Sequence, residues 1–218
     1  MAEKSAIILF AQAPLPEQAG TELISFFSAK KCLELYSTYV EESAQFFQHH
    51  HFDFWLTCEE SYQETLLLHN FPTVQGCKVA QGNMNERLFI LTNHFLNYEE
   101  YKNIIFLFHS FTFLNQEVLE SVVQAFRRTS RSVVPLTENG KKLNALAVGF
   151  PFSHLYEDMV WEKDEQIKLF KKNCKDAEIP CRLLETNQLV ISNPHNVSEN
   201  LQNFLQQQFL RFYQKLGI

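Results

Sequence analysis

The sequence predicts a three-layer α/β fold built on a mostly parallel, mixed sheet, and three observations carry that expectation. Short continuous apolar runs such as Ala6 to Ala11 and Asn103 to Phe108 are bounded by polar residues and turn formers, as strands buried on both faces are. Longer stretches between them repeat their apolar residues at helical spacing. The two kinds alternate through the first 135 residues, which argues for right-handed βαβ units with helices on both faces of one sheet. With 218 residues and no Pro/Gly/Ser tract to act as a linker, one domain over residues 1–218 is expected.

In chain order, Ala6 to Ala11 opens the sheet. Pro14 and Pro16 fix φ and remove donors, so Ala13 to Gly20 is a loop at that strand's carboxyl end. Lys30 to Gln48 is a helix with Leu33, Tyr36, Tyr39, Val40 and Phe47 on its apolar face. Phe52 to Thr57 reads as a strand, Ser61 to His69 as a short helix, Thr73 to Ala80 as a weaker strand, and the stretch after Arg87 as a helix carrying Leu88, Leu91 and Phe95. Asn103 to Phe108 is the central strand, and Asn115 caps a helix faced by Leu119, Val122, Val123 and Phe126. Ser132 to Leu136 and Leu143 to Gly149 form a hairpin across Asn139-Gly140, a pair that favours a type I′ turn. Asp164 to Ala177 is a helix, Cys181 to Leu184 and Gln188 to Ile191 are short strands, and Val197 to Leu216 is one long amphipathic helix opened by a capping box at Asn196 to Glu199.

Composition excludes several function classes. The net charge of −6 and the dispersal of the charges leave no basic footprint for nucleic acid. No run approaches the roughly 20 apolar residues of a membrane span, and Met1 to Ser5 leads into a strand without a leader pattern. Five cysteines, odd in number and without a CxxC pair, suit free thiols in a reducing cytoplasm. On the same ground Asn196-Val197-Ser198 is read as a chance sequon. The 21 phenylalanines imply an aromatic core or a sticky surface, and the second leaves room for a homodimer.

Four segments stand in a familiar order. Phe10 to Pro16 with Thr21 and Leu23 resembles the opening FARAPVPGxxKTRL of a bacterial family of small GT-A-type nucleotide-diphospho-sugar transferases. Gln81 to Leu88 is similar to that family's QGxDLGERL, Ile104 to Leu114 to its VLIGSDSPDL, and Val134 to Gly140 to its GPAxDGGYYLIG; Val160-Trp161 fits the tryptophan that follows. The resemblance spans roughly residues 5–200 and implies a GT-A-like fold, a cleft at the carboxyl ends of the parallel strands, and glycosyl transfer from a nucleotide sugar with Mn²⁺ or Mg²⁺. The cleft residues it points to are Gln12, Pro14, Gln18, Thr21, Glu22, Gln81, Ser110 and Asn139.

The departures from the family pattern fall on charge. Its diphosphate-binding Lys and Arg correspond to Gly20 and Glu22, and its metal-holding aspartate to Ser110, flanked by His109, Phe111 and Thr112. Its DGG becomes Glu138-Asn139-Gly140, and its late acidic segment becomes Ile191-Ser192-Asn193-Pro194. Glu86-Arg87 persists, read as support for a helix start. A hard divalent cation wants carboxylate oxygens, and a diphosphate wants cations. The expectation is therefore a nucleotide-diphospho-sugar transferase-like protein that has lost metal and diphosphate binding, is catalytically inactive and serves a binding or assembly role, with no cofactor. A divergent active transferase using Glu138, Glu22 or His109, with a divalent metal, is one alternative, and a protein that only oligomerises is another. His49-His50-His51 is read as a solvated helix end, Glu17 as a solvated loop residue, and Phe111 and Phe113 as core rather than a stacking platform.

Overall fold

A computed structural model of the chain describes residues 4–138, 140, 142–152, 155–157, 159, 161, 166–185, 191 and 193–217, with the side chains of Glu138 and Glu185 left out. Seven strands form one sheet: β1 (Ser5–Phe10), β2 (Phe52–Cys58), β3 (Gly76–Val79), β4 (Asn103–Leu107), β5 (Val133–Glu138), β6 (Lys142–Val148) and β7 (Leu184–Glu185), in the spatial order β3-β2-β1-β4-β6-β5-β7. All neighbours pair in parallel except β6, which runs antiparallel to both β4 and β5. The predicted mixed, mostly parallel sheet is present, and its fully buried strands β1 and β4 are the continuous apolar runs.

Helices cover both faces. One apolar cluster joins the sheet to α1 (Ala29–His49), α4 (Gln116–Arg128), α6 (Glu199–Gln208) and α7 (Leu210–Leu216), with Leu67 of α2 (Ser61–Asn70) at its margin. The opposite cluster holds α3 (Met84–Asn93), the π turn that follows it (His94–Tyr98) and α5 (Gln166–Asp176). Ile7 and Leu9 face the first cluster and Ile8 and Phe10 the second, the period-two alternation that lets one strand serve two cores. Most of the aromatic surplus is spent inside: Phe47, Phe54, Phe106, Phe111, Phe209 and Phe212 are among the largest fully buried side chains. No helix among the described residues is long and apolar enough to cross a membrane.

The carboxyl-terminal region departs from expectation. The single helix over Val197 to Leu216 is two helices, broken at Phe209 (φ −133°, ψ 53°). The spacing Leu201, Leu205, Phe209, Phe212, Leu216 fits one continuous stripe, so periodicity alone cannot reveal the break. The cause is tertiary: the bend sets the Phe209 ring against Phe113 and Phe46, at centroid distances of 4.9 and 5.4 Å. It also turns the new helix start toward Glu42 of α1, whose carboxylate accepts from the backbone amides of Arg211 (3.0 Å) and Phe212 (2.9 Å). The cap of α6 is Ser198, accepting from the Leu201 amide, and not a box opened at Asn196.

Smaller corrections concern strand extents. β3 begins only at Gly76, and Cys181 makes an isolated bridge to Val133 instead of continuing to β7. Of the strand expected at Gln188 to Ile191, Ile191 is outside any strand and the rest lies outside the described residues, as do Asn139 and Lys141 of the hairpin turn. The Asn115 cap is as expected, its Oδ1 accepting from the Val118 amide at 2.9 Å.

Candidate functional site

The chain leaves β4 through Phe108, whose amide still bonds the Asn144 carbonyl, and then makes a tight turn over residues 109–112. Thr112 Oγ1 donates to the His109 carbonyl at 2.7 Å and closes it. Phe111 takes the left-handed conformation, φ +59°, which costs a non-glycine residue roughly 1–3 kcal/mol. Its surroundings hold it there: the fully buried ring lies 5.5 Å from Tyr39 and 5.6 Å from Phe212, and its carbonyl accepts from the Ile191 amide. Phe111 and Phe113 are core residues, as expected, and Tyr39 in turn donates its hydroxyl to the Thr112 carbonyl at 2.8 Å. His109 is half-buried, and burial, reinforced by Lys142, pushes its imidazole down to about 4, so the ring is neutral near pH 7.

The loop after β1 is bonded to itself and to this turn. Gln12 accepts from the Gly20 amide through Oε1 (2.7 Å) and donates through Nε2 to Thr21 Oγ1 (3.0 Å), while its own amide and carbonyl are bracketed by the Tyr36 hydroxyl. Gly20 has φ +66°, and a Cβ there would stand 2.7 Å from the Cys32 carbonyl oxygen and 3.3 Å from the tip of the Phe111 ring. At the position corresponding to the family's lysine any larger side chain is therefore strained. Glu22, in the short 3₁₀ helix Thr21–Leu23, accepts from the Ser110 amide at 3.1 Å. Glu22 Oε2 and Ser110 Oγ are both buried without a hydrogen-bond partner.

The structure thus brings together Gln12 with Thr21, and Glu22 with Ser110. Pro14 is buried and shapes the loop, while Gln18, Glu17 and Gln81 are exposed. Glu138 belongs to β5, but its side chain and all of Asn139 lie outside the described residues, as does Ser192. The described residues at the end of β4 do not suit a hard divalent cation. Ser110 offers a neutral hydroxyl, His109 a ring nitrogen, and Glu22 only one oxygen not already bonded. No group of three or more His, Cys, Asp or Glu able to hold a metal occurs among the described residues. His49 and His51 are exposed at the end of α1, and His50 stacks on Phe46 at 4.6 Å.

A cavity of about 310 Å³ opens where β1 and β2 end, lined by Phe10, Ala11, Gln12, Ala13, Gln18, Glu59, Gln63, Met84 and Arg87. Of the expected cleft residues that are described, Gln12 and Gln18 line it, while Glu22 and Ser110 face each other outside its lining. The residue that sequence reasoning undervalued is Arg87. It is 8% exposed, its guanidinium bonds Glu59 and lies 4.8 Å from the Phe10 ring centre, and its Nε has no partner. Burial holds its guanidinium below the usual range, with Glu59 opposing that shift. Its place is fixed by a capping box at the start of α3: Asn83 Oδ1 accepts from the Asn85 and Glu86 amides, and Glu86 Oε2 accepts from the Asn83 amide at 2.8 Å. Glu86 thus supports the helix start, as expected, while Arg87 turns toward the cavity; the match of the Glu86-Arg87 pair to the family pattern was the available signal.

No protein-family model and no curated protein sequence matches the chain. Solved structures do. A candidate nucleotide-diphospho-sugar transferase from Desulfovibrio desulfuricans G20 superposes with TM-score 0.77 at 14% identity over 98% of this chain and 94% of its own. 4-Diphosphocytidyl-2C-methyl-D-erythritol synthase from Anaerococcus prevotii DSM 20548 follows with TM-score 0.56 at 11% identity over 96% and 98%. CMP:2-keto-3-deoxy-manno-octonic acid synthetase, solved with CTP, gives 0.54 at 11% identity over 95% and 99%. At such identities the likeness is one of fold, and the chain has the nucleotide-diphospho-sugar transferase-like α/β fold.

Proposed function

We propose that the chain is a transferase-like binding protein that has given up metal and diphosphate chemistry while keeping a ligand cavity at the carboxyl ends of β1 and β2. The observation that carries this reading is the pair of internal bonds in the first loop: Gln12 occupies the Gly20 amide and Glu22 occupies the Ser110 amide. A nucleotide sugar would bring roughly two negative charges toward Glu22, and two unit charges about 4 Å apart repel by roughly 4 kcal/mol at an effective dielectric of 20. Gly20 leaves no room for a compensating cation.

Thermal unfolding against nucleosides, nucleoside diphosphates and nucleotide sugars, each with and without Mn²⁺ or Mg²⁺, tests the reading. A ligand at a hundred times its dissociation constant stabilises by about 2.7 kcal/mol. The expected result is no metal-dependent gain and no advantage of a diphosphate over its nucleoside. A metal-dependent shift with one nucleotide sugar would overturn it.

One observation favours a divergent active transferase instead: Arg87 supplies a buried cation with a free donor at the cavity wall. Under that reading nucleotide-sugar turnover occurs and Arg87→Gln abolishes it. Absence of turnover by the wild-type protein removes it.

A further inference from the structure

Two of the five cysteines meet at the edge of the sheet, between β2 and β3. Cys58 ends β2 and Cys77 lies in β3, and their sulfurs are 3.6 Å apart with both side chains buried. In the parallel register Cys58 stands opposite Val79 and Cys77 opposite Leu56, so the pair is diagonal. β3 is four residues long and bonds to β2 alone, which makes it the strand whose opening costs least. Cys58 is followed directly by Glu59, the partner of Arg87.

We propose that Cys58 and Cys77 form a peroxide-oxidisable dithiol whose closure to a disulfide draws the edge strand β3 onto β2. Cys58 reacts first, as a thiolate attacking one oxygen of a hydroperoxide; the O–O bond breaks, Cys58 becomes a sulfenic acid, and the departing oxygen leaves as hydroxide and is protonated to water. The Cys77 sulfur then attacks the Cys58 sulfur, displacing hydroxide, which takes up the proton Cys77 gives up. Two thiols lose two protons and two electrons, and hydrogen peroxide becomes two waters. Cys58 is placed first because the contact between the two thiols, which either can donate, and the nearby Arg87 guanidinium hold the Cys58 thiol below its usual range. Bonded sulfurs are about 2.05 Å apart, so closure requires the pair to approach by roughly 1.5 Å, and the lightly held β3 is the element that moves. Trp55 reports that movement, because its indole lies directly over Gly76, where a Cβ would stand 2.5 Å from the ring. The inference is independent of the cavity's ligand.

The full chain is treated with a small excess of hydrogen peroxide, remaining thiols are alkylated, and the digest is mapped without reduction. The expected product is a peptide linking Cys58 to Cys77, lighter by two hydrogens and reversed by a dithiol reductant, with a change in Trp55 fluorescence that Cys77→Ser lacks. In Cys77→Ser, Cys58 is instead trapped by a sulfenic-acid reagent. Cys174 and Cys181, buried and partly exposed respectively, are the internal comparison. Oxidation confined to Cys174 and Cys181, with Cys58 and Cys77 both recovered as alkylated thiols, would overturn the proposal. A Cys58–Cys77 link without any fluorescence change would overturn the strand movement.

Discussion

Glu42 is the contact on which the carboxyl-terminal helix depends, and its removal can be given a magnitude. The carboxylate is 8% exposed and accepts from two backbone amides at the first turn of α7, the Phe212 amide fully buried and the Arg211 amide partly so. A hydrogen bond to a charged group contributes about 1.5–3 kcal/mol, and an acid at a helix start about 0.3–1 kcal/mol more. Counting the Phe212 bond in full and discounting the Arg211 bond, whose amide water can reach, gives about 3 kcal/mol for Glu42→Ala. The Arg211 side chain is 52% exposed, so its ion pair with Glu42 adds nothing to the sum. In a domain of this size such a loss lowers Tm by about 6–12 °C. Glu42→Gln keeps one acceptor but turns an NH₂ toward the other amide, and loses about 2 kcal/mol. Glu41→Ala, which removes only the 2.9 Å surface pair with Arg211, stays within about 0.5 kcal/mol of wild type. Urea unfolding measures all three, and a Glu42→Ala protein as stable as Glu41→Ala would refute the capping argument.

Three further outcomes follow from the same geometry. Gly20→Ala loses about 2–4 kcal/mol in denaturant melts, combining the left-handed backbone with a clash against the fixed Cys32 carbonyl, and Gly20→Lys gains no diphosphate affinity by calorimetry. His109 lies below its ordinary 6.5, at about 4, so between those values the unfolded chain takes up a proton the folded chain refuses, and stability falls as pH drops through that window. His109→Gln removes that part of the slope; because His50 and His94 are shifted the same way, the difference between the two proteins is the quantity to read, and equal slopes would refute the assignment. Asn83→Ala removes the cap of α3, costs about 1 kcal/mol in urea melts, and weakens any cavity ligand found in the thermal screen by loosening Arg87.

The sheet and most helices were legible because burial on two faces writes continuous apolar strands, and capping writes Asn115 into the chain; the Asn83 cap, which starts α3 at Met84 and not after Arg87, was not read. The break at Phe209 was not legible, since the stripe continues through it and the cause, Glu42, lies 169 residues from Arg211. At the candidate site the absence of cations and of an aspartate from Gly20, Glu22 and Ser110 could be read from the sequence, but the pairing of these residues could not: nothing local links Glu22 to Ser110 or Gln12 to Gly20. Arg87 was passed over for a related reason, because its motif position describes a helix start and only the folded chain places its guanidinium between Glu59 and Phe10.

Glu22 of the first loop and Ser110 of the turn after β4 are best understood as one unit. An acid at position 22 is useful only where a donor faces it, and here the Ser110 amide does. An acid at position 110 would set a second carboxylate beside Glu22 in a place where both Glu22 Oε2 and Ser110 Oγ are already hidden from water, and buried like charges are costly. Glu22 and an aspartate at 110 are therefore alternatives. The turn that presents the Ser110 amide exists because Phe111 accepts a positive φ, and that strain is offset by burying its ring between Tyr39 and Phe212, a burial of about 1.5–3 kcal/mol before any ring–ring contribution. Phe212 stands there because Glu42 starts α7 at that point. The chain from Glu42 through Phe212 and Phe111 to Ser110 and Glu22 ties the turn after β4 to the core, so installing a charged, metal-holding strand end requires changes in α1, α7 and two loops together rather than one introduced aspartate.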